Sequence, residues 1–368
     1  MVLISFLATK FFKNLLTETK KTVTICFVRP VPYKVRKEAL DIMATIKEVA
    51  EEAGVSKSTV SRYISQNGYV SDEAREKIKK AIEKLHYSPN LIAQSLKTKK
   101  NQLVGLLLPD ISNPFFPRLA RGAEVFLKEK GYRVMLGNIG HSQTLEEEYI
   151  DMLLQNNAAG IITTHDFTQN HPEIDIPVVV VDRVDKHSEY GVFSDSHEGG
   201  RLAAEMVYEA GTKQVLLIRG PLDMATNLNE RFKASLHYLK EKGVDVRICD
   251  SGSFDFETIQ NEAKRHLDYF VNCDSIIAPS DIHAIAYIHE LHARDKKIPD
   301  EVQVIGYDDI LMSQFIYPSL STIHQSSYQM GHQAAELIYK IANNIPVDEK
   351  RIKLPVHFVE RETLRRKK

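Results

Sequence analysis

The spacing of apolar residues predicts three short helices between residues 44 and 85 of this chain. Thr45 precedes the first helix and Glu48 follows three residues later, which is a capping-box pattern. Gly54 then allows a tight turn, Ser56 can cap the second helix, and the third helix begins near Ser71. The apolar positions with helical spacing are Ile46, Val49, Ala50, Ala53, Val60, Ile64, Ala74, Ile78, Ile82 and Leu85.

The first two predicted helices form a helix-turn-helix pattern, in which the second helix can enter the major groove of DNA. That helix has hydrogen-bonding side chains in its first turns, where base edges are reached: Lys57, Ser58, Thr59, Ser61 and Arg62. Polar residues on a short helix are equally typical of a solvated surface. The helix pattern alone therefore leaves both interpretations open.

A different pattern begins at Asn101, where short apolar runs alternate with helical patterns. The apolar runs, typical of strands buried on both faces, cover residues 102–108, 132–136, 160–163, 178–181, 214–218, 275–278 and 302–306. The helical patterns between them cover residues 116–130, 145–155, 199–210, 231–242, 258–271 and 282–293. This alternation predicts an α/β fold with parallel sheets covered on both sides, and its length favours two lobes with a cleft between them.

Composition and charge are those of a globular protein with a basic head. The 368 residues carry 48 Lys and Arg against 49 Asp and Glu. Residues 43–100 hold eleven basic and seven acidic side chains, residues 1–42 hold eight and three, and the rest of the chain is acidic. This distribution is typical of a protein in which only the amino-terminal part, residues 1–100, contacts the phosphates of a nucleic acid. The three cysteines have no paired spacing, which favours a reducing, cytoplasmic compartment over disulfides or a zinc site.

Residues 1–42 show no helical or strand periodicity. Their apolar start is interrupted by Lys10, too early for a membrane span, and it lacks the features of a secretory signal. We interpret this stretch as an amino-terminal extension, which either results from a misassigned start codon or forms a poorly ordered basic arm.

Polar and aromatic side chains follow most of the predicted strands, where ligands of open parallel sheets bind, while Arg231 opens a predicted helix, Phe254 lies in SGSFDFE and Gln325 ends STIHQ. The full set is Asp110, Asn113, Phe115, Phe116, Thr164, Asp182, Arg183, Arg231, Phe254, Ser280, Asp281, Asp308 and Gln325. Carboxylates, guanidinium groups and an amide around aromatic rings predict a sugar site, because sugar hydroxyls both donate and accept hydrogen bonds while a ring face covers the C–H side. Taken singly, Asp182 with Arg183 is also what a structural ion pair looks like, and the two phenylalanines are also typical of packing.

No motif for catalysis, for a cofactor or for a metal accompanies this set. The sequence contains no glycine-rich phosphate loop after a strand, no HExxH and no GxSxG. His283, His289 and His292 fall on one predicted helix, where we expect packed or solvent-facing histidines rather than metal ligands. The sequence predicts a protein that is not an enzyme and that uses no cofactor.

The stretches AGVSKSTVSR and YSPN, and the run that ends at Leu96, resemble the LacI/GalR family of bacterial transcriptional repressors. The resemblance covers residues 43–364. Within the family it is closest to ribose operon repressors, through LLLPDISNPFFPRLARGAE, RGPLDMATNLNERF, VIGYDDI and PSLSTIHQ.

This resemblance implies a helix-turn-helix domain at residues 43–88 and a hinge helix at residues 89–100. It also implies a two-lobed, periplasmic-binding-protein-like α/β domain at residues 101–368, which binds a sugar effector and dimerises. The implied DNA contacts come from Thr45, Ser56, Lys57, Ser58, Thr59, Ser61, Arg62, Asn67, Asn90, Ala93 and Leu96, and the leucine wedges between base steps in the minor groove.

The residues that match a ribose-type pocket are Asn113, Phe115, Phe116, Asp182, Arg183, Arg231, Phe254, Asp308 and Gln325. One position departs from the family, which usually has Asn-Asp where this chain has Ser280-Asp281. Serine is shorter and offers a single hydroxyl, so the departure bears on the identity of the sugar more than on the presence of a pocket. The carboxyl-terminal LRRKK lacks the leucine-heptad extension of tetrameric relatives, so we predict a homodimer.

We therefore expect a sugar-responsive repressor of a carbohydrate operon, with ribose as its effector and operator DNA as its partner. Three alternatives stay open: a plain sugar-binding protein as in transport, a regulator of another sugar such as sucrose, and a catabolite-control type of regulator driven by a phosphorylated carrier protein.

Overall fold

The computed structural model describes residues 44–65, 68–85, 87, 101–140, 142–168, 171, 174–221, 227–270 and 272–366. The described residues before and after positions 88–100 belong to two separate compact units. The predicted hinge and four of the predicted DNA contacts, Asn67, Asn90, Ala93 and Leu96, lie outside the described residues, as do residues 1–43.

The first unit contains the three predicted helices, α1 (Ile46–Ala53), α2 (Lys57–Ser65) and α3 (Asp72–Lys84). The capping box is present, with the Thr45 side chain accepting from the Glu48 backbone and the Glu48 carboxylate accepting from the Thr45 backbone. Gly54 ends α1 with a φ of 64°, in the left-handed region that a residue with a side chain enters at a cost. The predicted apolar face forms the core of this unit, with Val49, Val60 and Ile78 fully buried.

The second unit contains two six-stranded sheets with the same strand order along most of their width. The order in the amino-terminal lobe is β11 (Arg351–Leu354), β5 (Gly191–Ser194), β4 (Val178–Val181), β3 (Gly160–Thr163), β1 (Leu103–Leu108) and β2 (Arg133–Asn138). The order in the carboxyl-terminal lobe is β12 (His357–Val359), β10 (Ser321–His324), β9 (Gln303–Asp308), β8 (Ser275–Ile277), β6 (Gln214–Arg219) and β7 (Asp245–Asp250). Among the described strands the pairings are parallel, except that β12 runs antiparallel to β10. An antiparallel edge strand on a parallel sheet is a common variation of doubly wound folds.

The amino-terminal lobe is built from strands β1 (Leu103–Leu108), β2 (Arg133–Asn138), β3 (Gly160–Thr163), β4 (Val178–Val181), β5 (Gly191–Ser194) and β11 (Arg351–Leu354). Its helices are α4 (Phe115–Glu129), α5 (Gln143–Gln155) and α10 (Ser327–Ala342). Helices α4 and α10 pack against each other, and α10 also contacts β3, β4 and β5.

The carboxyl-terminal lobe is built from strands β6 (Gln214–Arg219), β7 (Asp245–Asp250), β8 (Ser275–Ile277), β9 (Gln303–Asp308), β10 (Ser321–His324) and β12 (His357–Val359). Its helices are α6 (Ser196–Glu209), α7 (Asn227–Glu241), α8 (Phe256–Tyr269) and α9 (Asp281–His292), and a 3₁₀ helix follows at Leu311–Gln314. Side-chain oxygens of Asp195, Asp255 and Ser280 cap helices α6, α8 and α9 at their first turns.

The chain passes between the two lobes at three places: after β5, after β10 and between β11 and β12. Asp195, at the first crossing, lies 2.7 Å from the Lys353 ammonium near the third, so an ion pair links two of the crossings. Gln325 lies at the second crossing, directly after β10. A change in the angle between the lobes would therefore move the residues at these crossings.

The predicted strands and helices are present, with ends shifted by a few residues. The sequence patterns did not predict α10 or the strands β5, β7, β10, β11 and β12. Gly331 with the polar His332 and Gln333 interrupts the apolar pattern of α10, and the missed strands are short or lie at sheet edges. Among the described helices, none combines the length and apolarity needed to span a bilayer.

Helices α4 and α10 approach so closely that a side chain would not fit at their crossing. A Cβ atom on Gly331 would lie 1.9 Å from the Leu119 carbonyl oxygen, and one on Gly122 would lie 2.0 Å from the Tyr328 carbonyl oxygen. Because both obstacles are backbone atoms, the helices themselves would have to move apart.

Gly331→Ala should therefore lower the free energy of unfolding by about 3 kcal/mol, as expected when a well-packed contact is forced open. Denaturant titration followed by circular dichroism measures this change. Gln329→Ala on the same helix is the matched control, since Gln329 is exposed and should be tolerated. Equal stabilities of the two variants would contradict the predicted close contact.

Candidate functional site

A cavity of about 340 Å³, partly open to solvent, lies where the two lobes face each other. Its lining comes from both lobes and consists of Asn113, Phe115, Phe116, Asp182, Arg183, Arg231, Phe254, Pro279, Ser280, Asp308 and Gln325. Most of these residues directly follow strands β1, β4, β8, β9 and β10, so the carboxyl ends of the strands bring them together. Ten of the thirteen predicted effector residues line this cavity.

The cavity is lined by a buried guanidinium group and by two buried carboxyl groups. Arg231 is 8% exposed, donates from Nη1 to the Pro279 carbonyl oxygen at 2.6 Å, and stacks on the Tyr307 ring at 3.3 Å from its centroid. Its Nε has no hydrogen-bond partner among the described residues. An unpaired buried donor of this kind favours a ligand with acceptor oxygens.

Asp182 and Asp308 are the two buried carboxyl groups that line the cavity together with this arginine. Burial raises the pKa of both groups, and the positive charge of Arg231 opposes that rise. Asp308 also accepts a hydrogen bond of 2.6 Å from Gln325 Nε2, which leaves Gln325 Oε1 without a partner among the described residues. The cavity thus offers acceptors and donors side by side, as the hydroxyl groups of a sugar require.

Two of these carboxylates are held on unusual backbone. Asp182 has a φ of 63° and Asp308 a φ of 115°, in a region that side-chain-bearing residues rarely occupy. Both lie where a strand ends and the chain turns. Strained backbone at a ligand cavity is typical of functional sites, where the surrounding fold maintains it.

Three phenylalanines supply the apolar surface of the cavity. The rings of Phe115 and Phe116 meet edge to face, with centroids 5.3 Å apart. The Arg183 guanidinium carbon lies 5.5 Å from the centroid of the Phe254 ring. The Phe254 and His283 rings meet edge to face, with centroids 5.3 Å apart. The Arg183 Nε in turn lies 3.8 Å from Asp182 Oδ2, so these two residues form an ion pair and also line the cavity.

Ser280, the residue that departs from the family pattern, lines the cavity but uses its hydroxyl locally. Its Oγ lies 2.8 Å from His283 Nδ1 and accepts weakly from the His283 backbone N–H as the cap of α9. His283 is 1% exposed, and burial lowers its pKa to about 3, so the ring is neutral. The sequence patterns did not predict a contact between His283 and Ser280, although a spacing of three residues at the start of a helix allows it.

Three predicted effector residues lie outside the cavity lining. Asp281 is completely buried within its own lobe and accepts hydrogen bonds from the Ile310 backbone and the Ser313 and Thr322 hydroxyls. Asp110 instead binds the backbone and hydroxyl of Ser112. Thr164 is buried after β3 and does not line the cavity.

The Asp281 carboxylate fits into space left by a glycine on β9. A Cβ atom on Gly306 would lie within 2.2 Å of Asp281 Oδ1. Burial raises the Asp281 pKa to about 7, against the three hydrogen bonds that favour its charged form. Asp281 is therefore a brace between α9, the 3₁₀ segment and β10.

Seven of the predicted DNA-contacting side chains lie among the described residues of the first unit, and one of them, Ser61, is half-buried on α2. Ser56, Lys57, Ser58 and Arg62 are exposed on or just before α2. The hydroxyls of Thr45, Ser56 and Thr59 take part in local capping hydrogen bonds, so they shape the helix ends as well as offering oxygen atoms at the surface. Within the described parts of both units, no group of three His, Cys, Asp or Glu side chains is placed to hold a metal ion.

Comparison with known proteins matches both units. Residues 45–90 match the bacterial regulatory proteins of the lacI family, and residues 204–364 match the periplasmic binding protein-like domain. The ribose operon repressor of Lactococcus lactis subsp. lactis (strain IL1403) is 67% identical over 326 residues, which cover 89% of this chain and 99% of that protein.

Solved structures agree with this match. A lac repressor dimer bound to operator and the anti-inducer ONPF has the same fold, with a TM-score of 0.78, 23% identity, and coverage of 87% of this chain and 98% of that one. A LacI family transcriptional regulator from Enterococcus faecalis V583 with bound ribose is 26% identical, with a TM-score of 0.63 and coverage of 71% and 98%.

These matches confirm the predicted fold class and the predicted resemblance to ribose operon repressors. Homologues of this kind are transcriptional repressors rather than enzymes. The chain belongs to the LacI family of bacterial regulatory proteins.

Proposed function

We propose that this protein is a homodimeric transcriptional repressor of a ribose-utilisation operon, in which ribose in the cavity between the lobes changes the affinity for operator DNA. The protein acts on chromosomal DNA and therefore in the cytoplasm. Residues 43–88 read the operator, residues 89–100 form the hinge, and residues 101–368 bind the sugar and dimerise.

One observation carries the sugar part of the proposal: buried donors and acceptors alternate in a cavity that also has aromatic walls. Arg231 Nε and Gln325 Oε1 have no partner among the described residues, and the carboxyl groups of Asp182 and Asp308 line the same cavity. Each hydroxyl of a sugar can pair with one such donor and one such acceptor, while its C–H face lies on a phenylalanine ring. A purely apolar ligand would leave these polar groups unpaired, at a cost of about 1–3 kcal/mol each.

Ribose is favoured as the sugar by two relatives. The L. lactis protein that is 67% identical is a ribose operon repressor, and the E. faecalis regulator holds ribose.

Dimerisation is supported by an exposed apolar segment on the carboxyl-terminal lobe. Leu311, Met312, Phe315 and Tyr317 are 59%, 49%, 77% and 83% exposed in the single chain. Large apolar side chains that cluster at a surface mark interaction sites. A second copy of this chain is the occupant we propose, since operators of this family are read by two symmetry-related heads.

The coupling between sugar and DNA follows from the two-lobed fold. Closure of the lobes on a ligand rotates the chain crossings, one of which carries Gln325 directly from the cavity into α10. We propose that this rotation changes the distance between the two hinges of the dimer. Such coupling is typically worth about 1–3 kcal/mol, or about 5- to 150-fold in operator affinity.

The test is a gel shift with the promoter fragment upstream of the regulated operon. We expect the purified protein to bind without any added partner and its affinity to change when ribose is added. A thermal-shift screen against pentoses, hexoses and disaccharides identifies the sugar independently. Operator binding that requires a phosphorylated carrier protein, or a thermal response only to a disaccharide, would contradict the proposal.

Leu96→Ala should weaken operator binding by about 10- to 100-fold, because the wedge that opens the minor groove is lost. Fluorescence anisotropy with labelled operator measures this change, and calorimetry with ribose should show unchanged sugar affinity. Leu96→Met is the matched control, since methionine retains most of the apolar volume. An equal loss of sugar affinity in Leu96→Ala would show that Leu96 does not act at the DNA.

A further inference from the structure

A chain of buried hydrogen bonds runs from the cavity wall into the carboxyl-terminal lobe. Ser280 Oγ lies 2.8 Å from His283 Nδ1, and His283 Nε2 lies 3.0 Å from Ser251 Oγ. Ser251 Oγ lies 2.7 Å from Glu262 Oε2, and the other oxygen of Glu262 accepts from the Gly252 backbone N–H at 2.9 Å. The four side chains are between 1% and 7% exposed, so water does not compete for these bonds.

The direction of each hydrogen bond follows from the acceptor at the far end. Ser251 Oγ donates to Glu262 Oε2, so the single proton of the Ser251 hydroxyl is directed to Glu262. Ser251 Oγ can then only accept from the histidine, which requires the proton on Nε2. The Ser253 carbonyl oxygen is close to the same group, at 2.9 Å from Ser251 Oγ, and it too is an acceptor.

The position of the proton on the His283 ring fixes the direction of the hydrogen bond between His283 and Ser280. Because burial lowers the His283 pKa to about 3, the ring carries one proton, and a proton on Nε2 leaves Nδ1 as an acceptor. Ser280 must therefore donate its only proton to Nδ1. What the serine presents to the cavity is an oxygen lone pair without a hydrogen.

We infer that His283 makes Ser280 an obligate acceptor, so that the effector must place a hydrogen-bond-donating hydroxyl against this part of the cavity wall. The inference deepens the proposed function and rests on it. An asparagine at this position would offer both a donor and an acceptor, whereas the serine–histidine pair offers an acceptor alone. His283 is thus a positioning residue for effector selectivity, and it also fixes the Phe254 ring by its edge-to-face contact at 5.3 Å.

The test uses the wild-type protein and analogues of D-ribose in which one hydroxyl at a time is replaced by hydrogen or by fluorine. Fluorine matches the size of a hydroxyl but cannot donate a hydrogen bond. We expect one hydroxyl position at which both replacements weaken binding, measured by calorimetry, to a similar extent of about 10- to 100-fold. Ser280→Ala should abolish the difference between ribose and the fluoro analogue at that same position.

Variants of His283 separate positioning from packing. In His283→Ala the Ser280 proton is released toward the cavity, so the penalty for fluorine at that position should shrink by about tenfold. His283→Asn places an amide oxygen near the former Nδ1 and should restore the penalty. Thermal melting of each variant shows that the fold is retained, and a purely structural role of His283 would weaken all analogues equally.

The outcomes distinguish the two levels of the proposal. Wild-type protein that does not bind ribose would overturn the proposed function and this inference with it. Ribose binding in which no hydroxyl pairs with Ser280, or in which the fluoro analogue at the Ser280 position binds as well as ribose, would overturn the inference alone.

Discussion

Replacing Asp308 with alanine should give a protein that folds and binds its operator but no longer responds to ribose. Asp308 lies at the tip of β9 in the cavity, where its carboxylate accepts from Gln325 and faces Arg231. Without it, a sugar hydroxyl loses a carboxyl partner, and the Arg231 guanidinium loses a buried carboxyl group that lines the same cavity. Truncating one partner in such a buried group weakens binding by about 100-fold or more.

Two further variants make this prediction specific. The φ of 115° at Asp308 disfavours alanine more than aspartate or asparagine, so Asp308→Asn shows how much of the loss comes from the backbone. Asp300→Ala removes an exposed carboxylate from the same lobe and should leave the ribose response unchanged. Calorimetry gives the ribose affinity and gel shift gives the operator response. Normal induction of Asp308→Ala would exclude a role for this residue in the pocket.

The sequence predicts most of the cavity because strand ends are easy to recognise and the carboxyl ends of parallel strands meet at one edge. Short apolar runs mark β1, β4, β8 and β9, and the polar residues after them meet at the carboxyl edges of the two facing sheets. The motifs shared with the family then identify distant contributors such as Arg231 and Phe254, which no periodicity would single out.

What sequence patterns do not resolve is the direction of a side chain at the end of a strand. Asp281 and Asp308 both follow an apolar run in the same lobe. Strand β8 ends at Ile277, so Asp281 is already the first residue of α9 and turns into the lobe, whereas β9 continues to Asp308 and presents it at the cavity. The difference depends on where each strand stops, to within two or three residues.

The role of His283 could not be predicted from the sequence either, for a different reason. A histidine on an apolar helix is as common in a packed interior as at a site. Its polarity toward Ser280 depends on Ser251 and Glu262, which come from another part of the chain. Only the folded lobe brings these groups together, so the sequence could predict a packed histidine but not the direction of its hydrogen bonds.

The different roles of Asp281 and Asp308 can be measured, because loss of Asp281 should lower the free energy of unfolding whereas loss of Asp308 should lower the ribose affinity. Asp281→Ala should lower the free energy of unfolding by about 2–4 kcal/mol, because three buried donors lose their acceptor. They are the Ile310 backbone N–H and the hydroxyls of Ser313 and Thr322. The cost is less than the sum of three lost bonds, since removing the carboxylate also removes its burial penalty.

For a domain of this size the expected change is a fall in Tm of about 5–10 °C. Calorimetric melting measures it, with Asp300→Ala as the surface control and Asp281→Asn as the variant that keeps one acceptor oxygen. Where the weakened fold persists at low temperature, its ribose affinity should stay within about threefold of the wild type, because Asp281 does not line the cavity. If Asp281→Ala instead melted like the wild type while losing ribose, the carboxylate would belong to the pocket and the brace between α9 and β10 would have to be abandoned.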